Sequence, residues 1–467
     1  MIFQRRIPKW RLVLFVCDSV LIVGALLLVQ IGLELSRSGL GGLGRFDARV
    51  LLPKMALILF VCQISMYLNG LYDYKSVQSR GLFVVNLLQA IGIAYIVLSL
   101  IYLVFKSVSM GHTACILGLP LILLFLFLWR SAYRRFLAAE TLAERVLILG
   151  SAPLARALVQ HIGEVKDCGY KVVAVVAEDN PGESFLQETR FEGSIVPLSG
   201  FPSILDSVPA DRIVVALRDQ RGKLPISSLL DCRFRGIRVE EARDLYEALT
   251  GKVAIEDLRP SWFIFSDGFV RNKFTLRVKR ITDLVVAGLG LLLAAPLMGI
   301  IALLIKLDSK GPVFYTQDRV GEAWKDFTLY KFRSMVKDAE ALGPQWAKDR
   351  DPRVTRVGRL IRKYRIDELP QLINVLKGDL SMVGPRPERR VFVTELAKEI
   401  PFYPQRLCVK PGVTGWAQIK FHYGASKDDT VEKLQYDLYY IKHMSLLFDL
   451  SILLDTIAVV LSGKGAK

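Results

Sequence analysis

The chemistry-bearing residues of this sequence concentrate between Arg362 and Pro387, where adjacent carboxylates, Asp367 and Glu368, lie among the cations Arg362, Lys363, Arg365 and Arg386. Leu369, Leu372, Ile373 and Leu376 follow at helical spacing, Pro370 suits a first turn and Gly378 a stop. The pattern predicts a helix with Asp367 as its N-cap. An exposed, ionised Asp at the positive end of a helix is placed to attack a phosphate whose oxygens are held by helix N–H groups and arginine forks. That is the arrangement of a nucleophile for phosphoryl transfer through an aspartyl-phosphate. A carboxylate needs no neighbouring base at neutral pH, and none of the four histidines falls in this stretch. The simpler use of the same pair is structural, with Asp367 capping a helix and Glu368 answering its dipole.

A second pair of cations, Lys331 and Arg333, flanks Phe332 in Tyr330-Lys331-Phe332-Arg333-Ser334-Met335. Strand alternation would aim both cations to one face, as a phosphate requires, and Phe332 to the other. A solvated charge pair is the alternative.

These residues need a frame, and composition describes it. The chain has 467 residues, is 52% hydrophobic and carries a formal net charge of +17, with a mean hydropathy of +0.34. That is too apolar for an ordinary soluble protein. The cations cluster beside apolar segments, which fits membrane lipids, polyprenyl phosphate and nucleotide sugars; no nucleic-acid-binding pattern occurs. Six scattered cysteines form neither a metal knuckle nor a disulfide framework.

Four apolar runs, Leu12 to Leu33, Leu51 to Leu68, Leu82 to Phe105 and Thr113 to Trp129, predict four transmembrane helices within residues 1–140. The first is too long for a cleaved signal peptide. Arg5, Arg6, Lys9 and Arg11 before the first run, Lys75 and Arg80 after the second, and Arg130, Arg134 and Arg135 after the fourth place both ends in the cytoplasm. Arg37, Arg45 and Arg49 in the first loop argue the other way. Asp18, a carboxylate inside the first run, is read as facing a neighbouring helix or the interface.

Residues 141–257 read as a Rossmann-like α/β domain, with strands at Val146–Leu149, Lys171–Val176, Arg212–Leu217 and Ile237–Glu240. Gly150-Ser151-Ala152-Pro153-Leu154-Ala155 stands where a phosphate loop would be, with Ala152 and Ala155 replacing its later glycines. A nucleotide-binding role and a structural or oligomerising one both fit. Residues 258–280 form a linker whose Trp and Phe residues suit a membrane surface. The apolar stretch 281–310 is flanked by cations on both sides and interrupted by Pro296. We read it as a re-entrant membrane helix that breaks near Ala295 and Pro296, so that residues 311–467, the catalytic domain, stay cytoplasmic. The final apolar run, Leu446 to Leu461, contains Asp449 and Asp455 and is read as an interfacial helix, with a packed core helix as the alternative.

The string Asp367-Glu368-x-x-Gln371-x-x-Asn374-Val375-Leu376-x-Gly378-Asp379-x-Ser381-x-Val383-Gly384-Pro385-Arg386-Pro387, completed by Lys410-Pro411-Gly412-Val413-Thr414-Gly415-Trp416-Ala417-Gln418, closely resembles the bacterial sugar transferase family, the monotopic phosphoglycosyl transferases. The resemblance covers about Arg271 to the C-terminus. Thr282 departs from it, standing where an aromatic residue is usual after Lys279-Arg280. It implies transfer of a sugar-1-phosphate from a UDP-sugar to undecaprenyl phosphate in the bacterial inner membrane, beginning exopolysaccharide or O-antigen synthesis, with glucose or galactose as donor sugar. It implies Asp367 as nucleophile and part of a Mg²⁺ site, Glu368 as a metal or proton-handling partner, and Lys331, Arg333, Arg362 and Arg386 as phosphate ligands. A homodimer through the α/β domain is a further expectation. Two other classes stay open: a nucleotide-dependent sugar-modifying enzyme centred on the α/β domain, and a polysaccharide-export scaffold without catalysis.

Overall fold

The computed structural model describes residues 9–38, 48–69, 71–72, 80–108, 110–137, 143–165, 169–178, 191, 193–217, 224–255, 258, 260–266, 268–269, 272–336, 351–421 and 426–462. The chain divides into two compact units, Met1–Ala143 and Glu144–Lys467.

The first unit holds helices α1 (Lys9–Ser38), α2 (Ala48–Leu68), α3 (Arg80–Val104) and α4 (His112–Leu137), each with a segment long and apolar enough to cross a membrane. They are apolar on all sides. Ile22, Met55, Cys62, Phe83, Ala94 and Ile122 face one another in the core, while Leu28, Leu52, Phe60 and Leu100 point outward. Asp18 faces its neighbours as expected, but Arg130, read from sequence as a flanking charge, is buried inside α4. Its guanidinium donates to both Asp18 oxygens and to the Leu71 carbonyl, and the Tyr72 hydroxyl donates to Asp18 and Gln63. An apolar surround leaves such groups no water, so they satisfy one another.

The second unit opens with a parallel sheet, β1 (Glu144–Leu149), β2 (Tyr170–Ala177), β3 (Ser194–Pro197), β4 (Arg212–Val215) and β5 (Arg238–Glu241), in the order β3-β2-β1-β4-β5. Helices α5 (Pro153–Glu164), α6 (Phe201–Ser207), α7 (Ile226–Phe234) and α8 (Ala242–Thr250) connect the strands and cover it. Strand β3 was not anticipated: it is a four-residue edge strand with exposed ends. Gly150 adopts φ +123°, and a Cβ there would lie 2.4 Å from the Ala216 carbonyl oxygen. This glycine is therefore required by the fold, whatever the loop binds.

After the short helix α9 (Pro260–Phe265), a single helix α10 runs from Lys273 to Asp308, 36 residues, with Pro296 inside it. The expected break near Ala295 and Pro296 is corrected. The flanks are rich in Leu and Ala, and helical conformation continues through a proline that removes one bond of the ladder. Both ends of α10 nevertheless dock on the same α/β body. Near its start, Arg280 donates to the Val375 and Leu376 carbonyls at 2.6 and 2.9 Å, and Asp283 accepts from the Met382 N–H at 3.0 Å. Near its end, Ile301 and Ile305 pack on Phe332 and Ile361, and Asp308 accepts from the Val357 N–H.

That body contains the hairpin β6 (Phe314–Val320) and β7 (Asp326–Phe332), α11 (Arg356–Lys363), α12 (Gln371–Lys377), the parallel pair β8 (Ser381–Val383) and β9 (Gly412–Thr414), and helices α13 (Arg390–Glu399), α14 (Trp416–Lys420), α15 (Lys427–Lys442) and α16 (Leu446–Ser462). The linker aromatics pack inward instead of lying free for a membrane: Trp262, Phe263 and Phe269 stack together and Phe263 reaches Phe402. Ile264 and Phe265 are exposed. Helix α16 packs one face into the core and leaves the other exposed. Phe448, Asp449 and Ile452 are buried, Asp449 against Lys279 and Tyr440, while Leu447 and Leu450 face outward.

Replacing Arg130 with Ala strands Asp18 in an apolar bundle. A loss of about 3–5 kcal/mol is expected, read as a lower Tm in detergent, and the double change Asp18→Asn with Arg130→Gln should recover much of it.

Candidate active site

Asp367 and Glu368 sit in a 3₁₀ turn, Ile366–Glu368, and not at the N-cap of the following helix. Helix α12 begins at Gln371 after Pro370, and Gly378 ends it with φ +97°, as the sequence predicts. The difference arises at Arg365, whose φ of +51° turns the chain out of α11. A non-glycine residue in this region is held there by its surroundings. The turn points the Arg365 guanidinium back at Glu368, 3.5 Å away.

Glu368 is the hub of the site. Its carboxylate accepts from Lys331 at 3.0 Å, from Arg386 at 3.1 Å and from Arg365. Burial alone would raise this carboxyl, but Lys331, Arg386 and Arg365 together hold it below the usual carboxylate range. Glu368 is thus a negative charge shared by three cations, which it draws together at the site. Asp367 is its opposite. It is 9% exposed, not the exposed residue that the sequence reading required, and no hydrogen bond or ion pair engages its carboxylate among the described residues. Burial, with the Glu368 charge beside it, pushes its pKa up to about 6 against the opposing pull of Lys331, Arg362 and Arg386.

The structure brings Lys331, Arg362 and Arg386 to this pair and removes Arg333 from it. Strand β7 ends at Phe332, so Arg333 no longer follows the alternation that would align it with Lys331. Its buried guanidinium donates to the Ser309 carbonyl and hydroxyl at 2.7 and 2.9 Å and to the Lys310 carbonyl at 3.1 Å, closing the C-terminal end of α10. Gly311, with φ +130°, makes room, since a Cβ there would collide with the Arg333 guanidinium.

Two supports carried by the motif had no role assigned from sequence. Asn374, fully buried, accepts from the Tyr330 N–H and donates to the Thr328 carbonyl, joining α12 to the strand that carries Lys331. Gln418, on α14, accepts from Arg386 at 2.8 Å. A third support lies outside the motif: Arg406, paired with Asp437, donates to the Arg386 carbonyl at 2.9 Å. Spacing alone does not reveal such partners, because they join residues distant in sequence.

A family described as bacterial sugar transferase matches residues 274–463, which include every residue of this site. A UDP-glucose:undecaprenyl-phosphate glucose-1-phosphate transferase of Caulobacter vibrioides is 41% identical over 192 residues, covering 40% of this chain and 71% of that protein. The chain belongs to the bacterial sugar transferase family. The UDP-N-acetylgalactosamine-undecaprenyl-phosphate N-acetylgalactosaminephosphotransferase of Aeromonas hydrophila is 45% identical over 265 residues, 56% of this chain and 62% of that protein. For the UDP-glucose:undecaprenyl-phosphate glucose-1-phosphate transferase of Xanthomonas campestris the match is 40% over 219 residues, 46% of this chain and 44% of that protein. The match thus spans under two thirds of the Aeromonas and Xanthomonas relatives.

No cluster of three or more His, Cys, Asp or Glu residues suited to a metal occurs among the described residues. The Glu368 oxygens are taken by cations, which leaves Asp367 as the carboxylate ligand available at the site. One carboxylate, with phosphate and water filling the other positions, is a normal environment for Mg²⁺.

The separation of Arg333 from Lys331 is testable. Arg333→Ala uncovers several buried carbonyls and should cost about 1–3 kcal/mol, seen as a lower Tm. Arg333→Lys should recover little, because an ammonium cannot fork to the same acceptors.

Proposed function

We propose that this chain transfers a sugar-1-phosphate from a UDP-sugar to undecaprenyl phosphate and so begins a polysaccharide repeat unit at the bacterial inner membrane. One observation carries the reading: a buried carboxylate, Asp367, without a hydrogen-bond partner among the described residues, next to Glu368, which three cations engage. A purely structural acid would be paired. Asp367 instead keeps its lone pairs for an incoming phosphorus.

In the proposed reaction an Asp367 oxygen attacks the β-phosphorus of the donor. The bond from that phosphorus to the bridging oxygen breaks, and UMP leaves with the bridge. The phosphosugar is then held as an aspartyl-phosphate until an oxygen of undecaprenyl phosphate displaces Asp367 and forms the lipid diphosphate. Lys331, Arg362 and Arg386 hold the phosphate oxygens through both steps. Mg²⁺ bound partly by Asp367 would supply charge neutralisation of the diphosphate.

Both ends of α10 dock on one α/β body, which favours keeping the two ends, and with them the catalytic domain, on the cytoplasmic side. The names of the relatives divide between glucose and N-acetylgalactosamine, so the donors to test extend beyond glucose and galactose. A row of exposed apolar residues on α7, Ile226, Leu230 and Phe234, is the surface on which two sheet domains of a homodimer would pair.

Purified membranes are assayed for UMP release from a panel of UDP-sugars, with and without undecaprenyl phosphate and Mg²⁺. Asp367→Asn should lose on the order of a thousandfold or more and form no covalent phosphosugar adduct; a mutant that still releases UMP refutes the nucleophile. The nucleophile works deprotonated and its pKa is raised, so activity should rise with pH through about 6 and level off above it, not near the ordinary value of 3.8. Glu368→Gln removes the neighbouring negative charge and should move that limb to lower pH, measured as kcat/KM against pH.

A further inference from the structure

Arg386 leaves 34% of its side chain accessible, and among the described residues its guanidinium meets anchors on two sides. One nitrogen reaches Glu368 at 3.1 Å and the other donates to Gln418 Oε1 at 2.8 Å. Gln418 is itself fixed from a distance. Its amide donates to the Val413 carbonyl at 3.5 Å, and its helix α14 is anchored by Trp416, whose indole N–H donates to the Gly251 carbonyl at 2.9 Å. Gly251 ends α8 of the sheet domain with φ +69°, and a Cβ there would meet the Trp416 ring at 3.0 Å. The sheet domain thus abuts the helix that carries Gln418.

We infer that Gln418 is a positioning residue for the donor phosphate, orienting the Arg386 guanidinium between Glu368 and the incoming diphosphate, and that the sheet domain sets its helix through the Trp416–Gly251 contact. The inference rests on the reaction proposed above. An arginine anchored at one nitrogen only can rotate about that contact. Two anchors fix the plane of the fork, and a planar fork binds phosphate well only in a defined orientation. A neutral amide oxygen suits the second anchor because it accepts a hydrogen bond without cancelling the charge the phosphate needs.

The test compares wild-type protein with Gln418→Leu, Gln418→Glu and Trp416→Phe, each purified as the full chain in detergent. UMP release gives kcat and donor KM across pH, and calorimetry gives the affinity for UDP. Gln418→Leu should raise donor KM and weaken UDP binding about tenfold, the scale of one hydrogen bond to a charged group. Gln418→Glu keeps an acceptor but adds a negative charge beside Arg386, and should weaken UDP binding at least as much as Gln418→Leu. Trp416→Phe keeps the ring but removes the bond to Gly251, and should move KM in the same direction by less. A Gln418→Leu protein that loses kcat alone, with KM and UDP affinity unmoved, overturns the inference. If Gln418→Leu does not fold, unchanged KM and UDP affinity in Trp416→Phe overturn the sheet-domain part, and wild-type UDP affinity in Gln418→Glu overturns the role of the neutral acceptor. If the wild-type protein releases no UMP, the reaction is refuted, and equal UDP affinity of wild type and Gln418→Leu then refutes the positioning role separately.

Discussion

The site depends on one crowded ionic contact, the Glu368 carboxylate shared by Lys331, Arg365 and Arg386. The three cations come from three places: strand β7, the turn after α11, and the segment after β8. A single buried acid thus joins three pieces of chain, and removing any one cation leaves the same buried negative charge less compensated. Buried charge of this kind adds little to stability beyond what an apolar replacement would supply. Its value lies in where it puts charge: three cations surround a pair of acids of which one is already neutralised. Asp367 is left as the acid without a hydrogen-bond partner among the described residues, at a position where an anion would meet positive potential.

The scaffold around this contact is made of backbone satisfaction more than of apolar burial alone. Arg280 answers the last carbonyls of α12, Arg333 those of α10, and Asn374 bridges a helix to a strand. Each is a polar side chain that meets main-chain groups with no partner in their own element. Such links are directional, so they fix the angles between elements that meet at Asp367 more firmly than packing would.

Much of this was legible in the sequence, and the failures have identifiable causes. The apolar runs, the strands at residues 146, 171, 212 and 237, the Gly378 stop and the pairing of Lys331 and Arg386 with the acids follow from periodicity and motif. Arg333 was misassigned because alternation assumes that the strand continues, and it stops one residue earlier. Asp367 was expected as an exposed cap because Asp is a good cap; the positive φ at Arg365, which no propensity favours, put it in a buried 3₁₀ turn instead. The proline in α10 was expected to break a helix that its leucine-rich flanks keep continuous. Gln418 and Arg406 could not be given roles, because their partners lie 32 and 20 residues away at Arg386.

The pairing of Lys279 with Asp449 has a consequence for the order of assembly. The two residues are 170 positions apart in the chain, and the Lys442–Glu247 contact spans 195. Helix α10 leaves the ribosome long before α16 exists. During that interval Lys279 and the start of α10 must be held by water and lipid headgroups, with the apolar side of the nascent helix already seeking the bilayer. Membrane engagement therefore comes first and closure of the ion pair last, a late, long-range step of the kind that slows folding and exposes apolar surface while it is pending. A chain arrested between these events would be membrane-bound and inactive, and a ready substrate for quality-control proteases.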